Sequence, residues 1–208
     1  MEKFCAIIPN RPGREKLFDF CIYQLSKMTL KPDMVYNIDW IAIDDSIDIS
    51  ERIIDGINRA KADGFDLCFI LENDDNYSED YFKRYGNMSE HDFFGSQETI
   101  YYNIRNRTWS RLNHPNRSSL FTTGFRISAL KNFIFPKTAF VDIALWDHAK
   151  SYRKKFIPNT GAIGIKNHGF GLCGGKGHTI QLSKQDAYYN WLRSNINREA
   201  FEFYMTIL

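Results

Sequence analysis

The sequence contains no uninterrupted apolar run long enough to cross a bilayer, no C-x-x-C pair, no internal repeat and no low-complexity tract. The first absence argues against a membrane span, which needs about 20 consecutive apolar residues. The N-terminus, Met1-Glu2-Lys3 ahead of a five-residue apolar segment, is too short for a signal peptide, so a soluble, cytoplasmic chain is expected. Cysteine is sparse and scattered. Cys5, Cys21, Cys68 and Cys173 have no metal-ligand spacing, and Cys5 and Cys68 lie inside strand-like apolar runs, which predicts reduced core thiols. With 208 residues, 43% of them hydrophobic, and no repeat, the chain is most simply one domain with a sizeable core, spanning residues 1–208.

Net charge is also small, +2, but the average conceals an asymmetry. Residues 1–100 hold 20 of the 25 acids and 11 of the 27 bases, a net of −9, whereas residues 101–208 net +11. An acidic half that can hold a cation, joined to a basic half that can hold phosphates, suits a metal-bridged polyanion such as a nucleotide diphosphate. Two solvated surfaces of uneven charge would give the same composition.

The densest chemistry lies between Leu67 and Phe82. Five apolar residues, Leu67-Cys68-Phe69-Ile70-Leu71, run directly into Glu72-Asn73-Asp74-Asp75-Asn76. This pattern predicts a buried parallel strand that delivers acids to its carboxyl end, where open α/β sheets bind ligands. Three carboxylates this close repel one another unless a cation is present. Taken alone, such a cluster is more often a solvated acidic turn, and the context has to decide. An EF-hand starting at Glu72 is excluded, because it needs Gly where Tyr77 stands and Glu where Lys83 stands.

The first seventy residues alternate strand and helix. Phe4 to Ile8 is apolar and ends in Pro9-Asn10-Arg11-Pro12-Gly13, and Arg14 to Lys27 is amphipathic. Met34 to Ile38 is a second strand closed by Asp39. Ser50 is a candidate cap for a helix through Ala62, and Gly64 a candidate stop. This order predicts a doubly wound parallel sheet. Further on, the pattern suggests a helix from about Ser78 to Tyr85 and strands at Phe93–Gly95 and 99–104. The segment from Arg105 to Ser119 is basic and aperiodic and reads as a long loop; its arginines, with Trp109 and the preceding Tyr101 and Tyr102, could stack on and charge-pair with a nucleic acid or sugar acceptor, and a solvated flap would read the same. A short helix is expected over 128–133. Another runs from Phe140 through Arg153, with Asp142 near its start, and a strand at 163–166 precedes a glycine-dense loop, 169–178. One or two terminal helices carry Trp191, Leu192, Phe201 and Tyr204.

In this order, the pieces resemble a compact nucleotide-sugar glycosyltransferase of the A-type fold (GT-A), of the small single-domain kind common in bacteriophages. The similarity covers most of the chain from Phe4 to His178. Ala6-Ile7-Ile8-Pro9 with the following arginine-bearing loop resembles the nucleotide-binding first strand, and Asp39 stands where such enzymes contact the base. Ile70-Leu71-Glu72-Asn73-Asp74-Asp75 resembles the D-x-D signature, with Glu72 in place of the first Asp. Gly124 in Thr122-Thr123-Gly124-Phe125, with Asp142 in Val141-Asp142-Ile143, resembles the glycine loop and the acidic segment that presents the acceptor pocket and its general base. Ile165-Lys166-Asn167-His168, with Gly174-Gly175-Lys176-Gly177-His178 behind it, resembles the late strand whose histidine completes a metal shell.

The resemblance implies an α/β three-layer sandwich around a mostly parallel, Rossmann-like sheet. Residues 1–100 would form the donor and metal half, and residues 101–208 the acceptor half and C-terminal helices. It implies transfer with inversion from a nucleoside-diphosphate sugar, a UDP-sugar foremost, using Mn²⁺ or Mg²⁺. Donor contacts would come from Pro9, Arg11, Arg14, Asp39, Glu72, Asn73, Asp74, Lys166 and Lys176. Metal ligands would be Asp74, Asp75 and either His168 or His178, with His168, directly after its strand, the favoured one. Asp142 would be the base, and Gly124, Trp146 and Trp109 would face the acceptor, a glycan or a modified DNA base in the host cytoplasm if the chain is phage-encoded. The residue types suit the chemistry. A leaving diphosphate needs its charge neutralised by a cation and by donors, and an acceptor hydroxyl needs a carboxylate to take its proton. Two other readings remain open at this point: a nucleotidyltransferase, whose glycine-rich basic loop Arg11-Pro12-Gly13-Arg14 only half matches, and a non-catalytic carbohydrate- or nucleic-acid-binding module.

Overall fold

The computed structural model describes residues 2–39, 48–138, 140–169 and 184–208. The chain opens with β1 (Phe4–Pro9), whose residues are all buried, as an apolar run in the middle of a parallel sheet should be. α1 (Glu15–Lys27) follows and buries Leu17, Cys21 and Leu25, spaced four residues apart on one face. β2 (Met34–Ile38), α2 (Ile49–Ala62) and β3 (Leu67–Ile70) complete the opening units. α2 starts one residue before the expected cap, after Asp48, because the Ser50 hydroxyl donates to the Pro136 carbonyl instead (2.5 Å). Gly64, at φ +81°, ends this unit in a left-handed conformation that glycine adopts without strain.

The rest of the chain uses shorter pieces: β4 (Asn76–Tyr77), β5 (Phe93–Gly95), β6 (Glu98–Asn103), β7 (Thr108–Asn113), β8 (Gly124–Arg126), α3 (Val141–His148), β9 (Lys154–Phe156), β10 (Ala162–Lys166), β11 (Lys184–Gln185), α4 (Asn190–Asn195) and α5 (Arg198–Thr206). Among the described residues the strands form two sheets. The central one has the order β2-β1-β3-β8-β5-β9, with β1 parallel to both β2 and β3, β5 parallel to β9, and β8 antiparallel to its two neighbours. The second has the order β11-β7-β6-β10-β4.

The pleat of β1 divides the core. Phe4, Ala6 and Ile8 pack with Cys21, Leu25 and Phe69 on the α1 side, whereas Cys5 and Ile7 pack with Ile53, Ile57 and Trp146 on the side of α2 and α3. That is the expected three-layer α/β sandwich around a mostly parallel sheet. A third cluster joins the second sheet to the terminal helices through Ile100, Tyr102, Ile165, Leu192 and Tyr204. Cys5, Cys21 and Cys68 are buried free thiols, in accord with the sequence, while Cys173 lies outside the described residues. Among the described residues no helix is long and apolar enough to cross a membrane.

Two expectations need correction. The helix foreseen over 78–85 is only a 3-10 turn at Lys83–Tyr85: backbone bonds here, Tyr81 N–H to the Ser78 carbonyl and Tyr85 N–H to the Phe82 carbonyl, span three residues, while Tyr81, Phe82 and Tyr85 are buried in the core. The basic segment 105–119 is not wholly a loop. β7 pairs antiparallel with β6 from Glu98↔Asn113 to Asn103↔Thr108.

Candidate functional site

The acids arrive where the sequence placed them, at the carboxyl end of β3. Leu71 extends the pairing by donating its N–H to the Ile7 carbonyl (3.0 Å), and the chain then turns, with the Asp75 N–H donating to the Glu72 carbonyl (3.2 Å). The turn is anchored from three sides. From α1, Gln24 donates to the Asp75 carbonyl (3.2 Å) and accepts from the Tyr77 N–H (2.8 Å). From α5, the Tyr204 hydroxyl donates to the Asp74 carbonyl (3.3 Å). From β10, which pairs with β4, the Ile165 N–H donates to Asp75 Oδ1 (2.9 Å). The turn is therefore a rigid, buried feature, with Asn73, Asp74 and Asp75 all under 5% exposed, and not the solvated cluster that composition alone allowed.

Its charges are compensated by side chains from distant parts of the sequence. Lys166 Nζ, at the end of β10, lies 3.2 Å from Asp75 Oδ1 and 3.4 Å from Glu72 Oε2. His168 Nε2 is 2.9 Å from Asp74 Oδ2, and Arg14 Nη1 is 3.5 Å from the same oxygen and 3.2 Å from Asn73 Oδ1. Burial opposes ionisation of Asp74, but Lys166, Arg14 and His168 outweigh it and hold this carboxyl well below the usual range. Asp75 goes the other way: burial, reinforced by Asp74 and Glu72, raises it well above the usual range against the pull of Lys166. Burial also raises Glu72, although nearly a third of its side chain stays exposed and Lys166 pulls it back. Lys166 loses hydration, but the three carboxylates more than compensate and raise its pKa well above that of an ordinary lysine.

These residues fit a divalent cation. Glu72, Asp74 and Asp75 can each offer an oxygen within 4.8 Å of the others, and the buried atoms Asp74 Oδ1 and Asp75 Oδ2 have no hydrogen-bond partner. An all-oxygen, carboxylate-rich donor set suits Mg²⁺ or Mn²⁺. His168, expected as a metal ligand, bonds through Nε2 to Asp74 Oδ2, the oxygen opposite the unpartnered one. Lys176 and His178 lie outside the described residues.

A polar chain leads from the turn to the first loop. Asn73 donates to Asn10 Oδ1 (2.6 Å), and Arg52 donates to the Asn10 carbonyl (2.7 Å). Asp48 then accepts from both Arg52 and Arg11 (3.0 and 3.2 Å). Sequence reasoning named Arg11 and Arg14 but missed Asp48 and Arg52. The available signal was an arginine on the otherwise apolar face of α2, where only 2% of it is exposed. Pro9 closes β1 opposite Ile38, and Asp39 follows β2 on an exposed edge.

The expected base occupies a different setting. Asp142 lies in the first turn of α3 and pairs with Arg117 Nη1 at 2.5 Å. Burial raises its pKa, while Arg117 and the N–H groups of the helix start pull it down. One turn further on, Trp146 donates from Nε1 to Thr123 Oγ1 (3.0 Å), and the Thr123 carbonyl accepts from Ile70 N–H at the end of β3 (2.9 Å). A short bonded path thus connects the helix carrying Asp142 to the strand carrying the acidic turn. Trp146, expected to face the acceptor, is corrected to a core position. It is 2% exposed and stacks on Phe156, because α3 turns its apolar side to the sheet. Gly124 opens β8, where an added Cβ would meet the Phe69 ring at 2.5 Å, so its missing side chain serves close packing. Trp109 belongs to the second sheet, stacked on Trp191 with ring centroids 4.3 Å apart and with Lys184 Nζ 4.8 Å from its centroid.

No family model and no curated protein sequence matches the chain. Solved structures do. TarS residues 1–349 of S. aureus, solved in complex with UDP, aligns over 80% of this chain and 61% of that one, with a TM-score of 0.54 and 14% identity. The same TarS piece in complex with UDP-GlcNAc aligns over 86% of this chain and 62% of that one, with a TM-score of 0.53 and 15% identity. The chain shares its fold with TarS. It spans about three-fifths of the length of that TarS piece, and the likeness is one of α/β fold.

Proposed function

We propose that the chain is a metal-dependent, inverting glycosyltransferase that moves a sugar from a nucleoside-diphosphate sugar, most simply a UDP-sugar, to an acceptor hydroxyl. The observation that carries this reading is the buried carboxylate turn at the end of β3. It has two unpartnered oxygens and is braced by Arg14, Lys166 and His168, in a fold shared with a protein solved with UDP-GlcNAc.

A divalent ion bound by Asp74, Asp75 and Glu72 would supply Lewis-acid neutralisation of the leaving diphosphate. The chain's own residues do the rest. Arg11 and Arg14, at the mouth of β1, are charged donors directed at a nucleotide diphosphate, and Asn73 and Asn10 lock the loop that carries them. Lys166 stands beside the acids as a further cation for the diphosphate. On the acceptor side, Asp142 takes the proton of the attacking hydroxyl as its oxygen bonds to the anomeric carbon and the bond from that carbon to the diphosphate oxygen breaks. A raised pKa suits a base, because it increases the drive to accept the proton. Arg117 holds the carboxylate in place until an acceptor hydroxyl approaches. A glycan or a modified DNA base remains the proposed acceptor.

The experiment is a donor panel. Purified protein with UDP-, GDP- and dTDP-sugars and Mn²⁺ or Mg²⁺ is assayed for nucleotide release, with modified DNA and simple sugars as acceptors, and products are identified by mass spectrometry. Metal-dependent release from one donor class is expected. No binding or turnover with any donor overturns the reading, and pyrophosphate release from a nucleoside triphosphate would replace it with nucleotidyl transfer.

A further inference from the structure

Lys166 is an unusual neighbour for a metal site. It ends β10 with only 8% of its surface exposed, and its ammonium is enclosed, 5.7 Å from the Tyr101 ring centroid and 5.9 Å from that of Phe121. It faces Asp75 and Glu72 at 3.2 and 3.4 Å, two of the three acids whose oxygens lie within 4.8 Å of one another. On Asp75 it shares Oδ1 with the Ile165 N–H, so one oxygen of that carboxylate carries two donors and the other none. A buried carboxylate cluster must be neutralised by something, because unpaired buried charge is strongly destabilising. The ammonium already occupies the space between the two acids, and a divalent ion among the same oxygens would repel it at close range.

We propose that Lys166 is a tethered cation that competes with the divalent ion for the Glu72–Asp74–Asp75 cluster. In the metal-free protein it holds the turn assembled. Metal entry requires its ammonium to withdraw from Asp75 and Glu72, and an anionic oxygen of a bound diphosphate is the group chemically suited to receive it. Lys166 thereby sets the affinity for metal, keeping it weak until donor is present. This rests on the metal site of the proposed transferase, and it assigns Lys166 a role in governing that site as well as a contact to the donor.

The test measures metal binding without nucleotide. Mn²⁺ uptake by the full chain is followed by electron paramagnetic resonance and by calorimetry, for the unsubstituted protein and for Lys166→Met. Removing the competing charge should tighten Mn²⁺ binding by about tenfold or more. In chelator the variant should melt below the unsubstituted protein, and Mn²⁺ should raise its Tm by more. Equal or weaker Mn²⁺ affinity in the variant overturns the proposal, as does failure of both proteins to take up Mn²⁺. If the variant does not fold, the unsubstituted protein decides. With ¹⁵N-labelled lysine, the enclosed Lys166 Nζ–H resonance should shift or vanish as Mg²⁺ is added; an unmoved resonance while Mg²⁺ binds overturns it. UDP-sugar binding measured in parallel separates the two readings. A tenfold gain in Mn²⁺ affinity with no nucleotide binding refutes the donor assignment and supports the competition, whereas nucleotide binding with unchanged Mn²⁺ affinity does the reverse.

Discussion

The acidic turn after β3 and the lone carboxylate at the start of α3 are both largely withdrawn from water, yet their charges are balanced in different ways. Glu72 and Asp75 share Lys166 at the end of β10, while Asp74 holds Arg14, just before α1, and His168, just after β10, so three cations from distant parts of the chain balance one cluster. One of the three is pushed down and two are pushed up, the pattern of a group that ionises as a unit. Asp142 has a single arginine, 30% exposed, and the helix start beneath it. The first arrangement suits holding a cation, since the acids cannot all be charged comfortably without one. The second suits moving a proton, since a single carboxylate with one partly exposed partner can gain and lose it without disturbing a network.

The sharpest way to break the comparison is to remove one carboxylate from each side. Asp142→Asn should lower transfer by about 10²–10⁴-fold, the usual worth of a general base, and leave UDP-sugar binding and Mn²⁺ uptake unchanged. Asp74→Asn should do the opposite: weaken Mn²⁺ and donor binding by about a hundredfold or more, since the loss of a ligand exceeds the loss of an orienting partner. Steady-state kinetics with calorimetry on each variant checks both. If the two variants show the same profile, the division of labour between turn and helix is wrong.

A smaller effect comes from the path that joins the two sites. Thr123→Val keeps the shape of the side chain but removes the oxygen that accepts from Trp146 Nε1 and donates to the Ser119 carbonyl (2.8 Å). A buried indole N–H left without a partner costs about 1–3 kcal/mol. The Tm in thermal unfolding should fall accordingly. Transfer should decline more than Mn²⁺ binding, because the support lost is that of α3.

The same contrast explains how much could be read from the sequence. β1, β2, β3, α1 and α2 were legible to within a residue or two, because uninterrupted apolar runs and an i, i+4 apolar face leave few alternatives, and with them the acidic turn. β7 was not. Its residues Thr-Trp-Ser-Arg-Leu-Asn show no apolar face, and Trp109 is covered by Trp191 and Lys184, which lie about eighty residues later. A strand half-buried by a distant helix leaves no local signature. Trp146 misled for a related reason: in a short helix next to a candidate base, a tryptophan that fills the core looks the same in sequence as one that faces a ligand. Lys166 was visible as a cation near the site. Its place among the acids was not, because that depends on β10 pairing with β4, a contact made across almost ninety residues.

The gentlest probe titrates Asp142 without removing it. Its carboxyl must be ionised to accept a proton, so activity should be present above its pKa and lost as pH falls through it. Burial raises that pKa and Arg117 lowers it, so the acid limb of kcat should lie above the range of an ordinary carboxylate. Arg117→Met removes the lowering influence, and the acid limb should move further toward neutrality, whatever the maximum loses with the partner that positions the carboxylate. The stability of the fold follows the same sign. A carboxyl whose folded pKa is raised binds its proton more tightly in the native state, so its contribution to stability declines as pH rises through the window between the ordinary and raised values. The variant should widen that window, which pH-dependent thermal melts detect. An acid limb that stays fixed in Arg117→Met would mean that the group limiting the rate is not Asp142. The base would then have to be sought among the acids of the turn, which Arg117 does not contact.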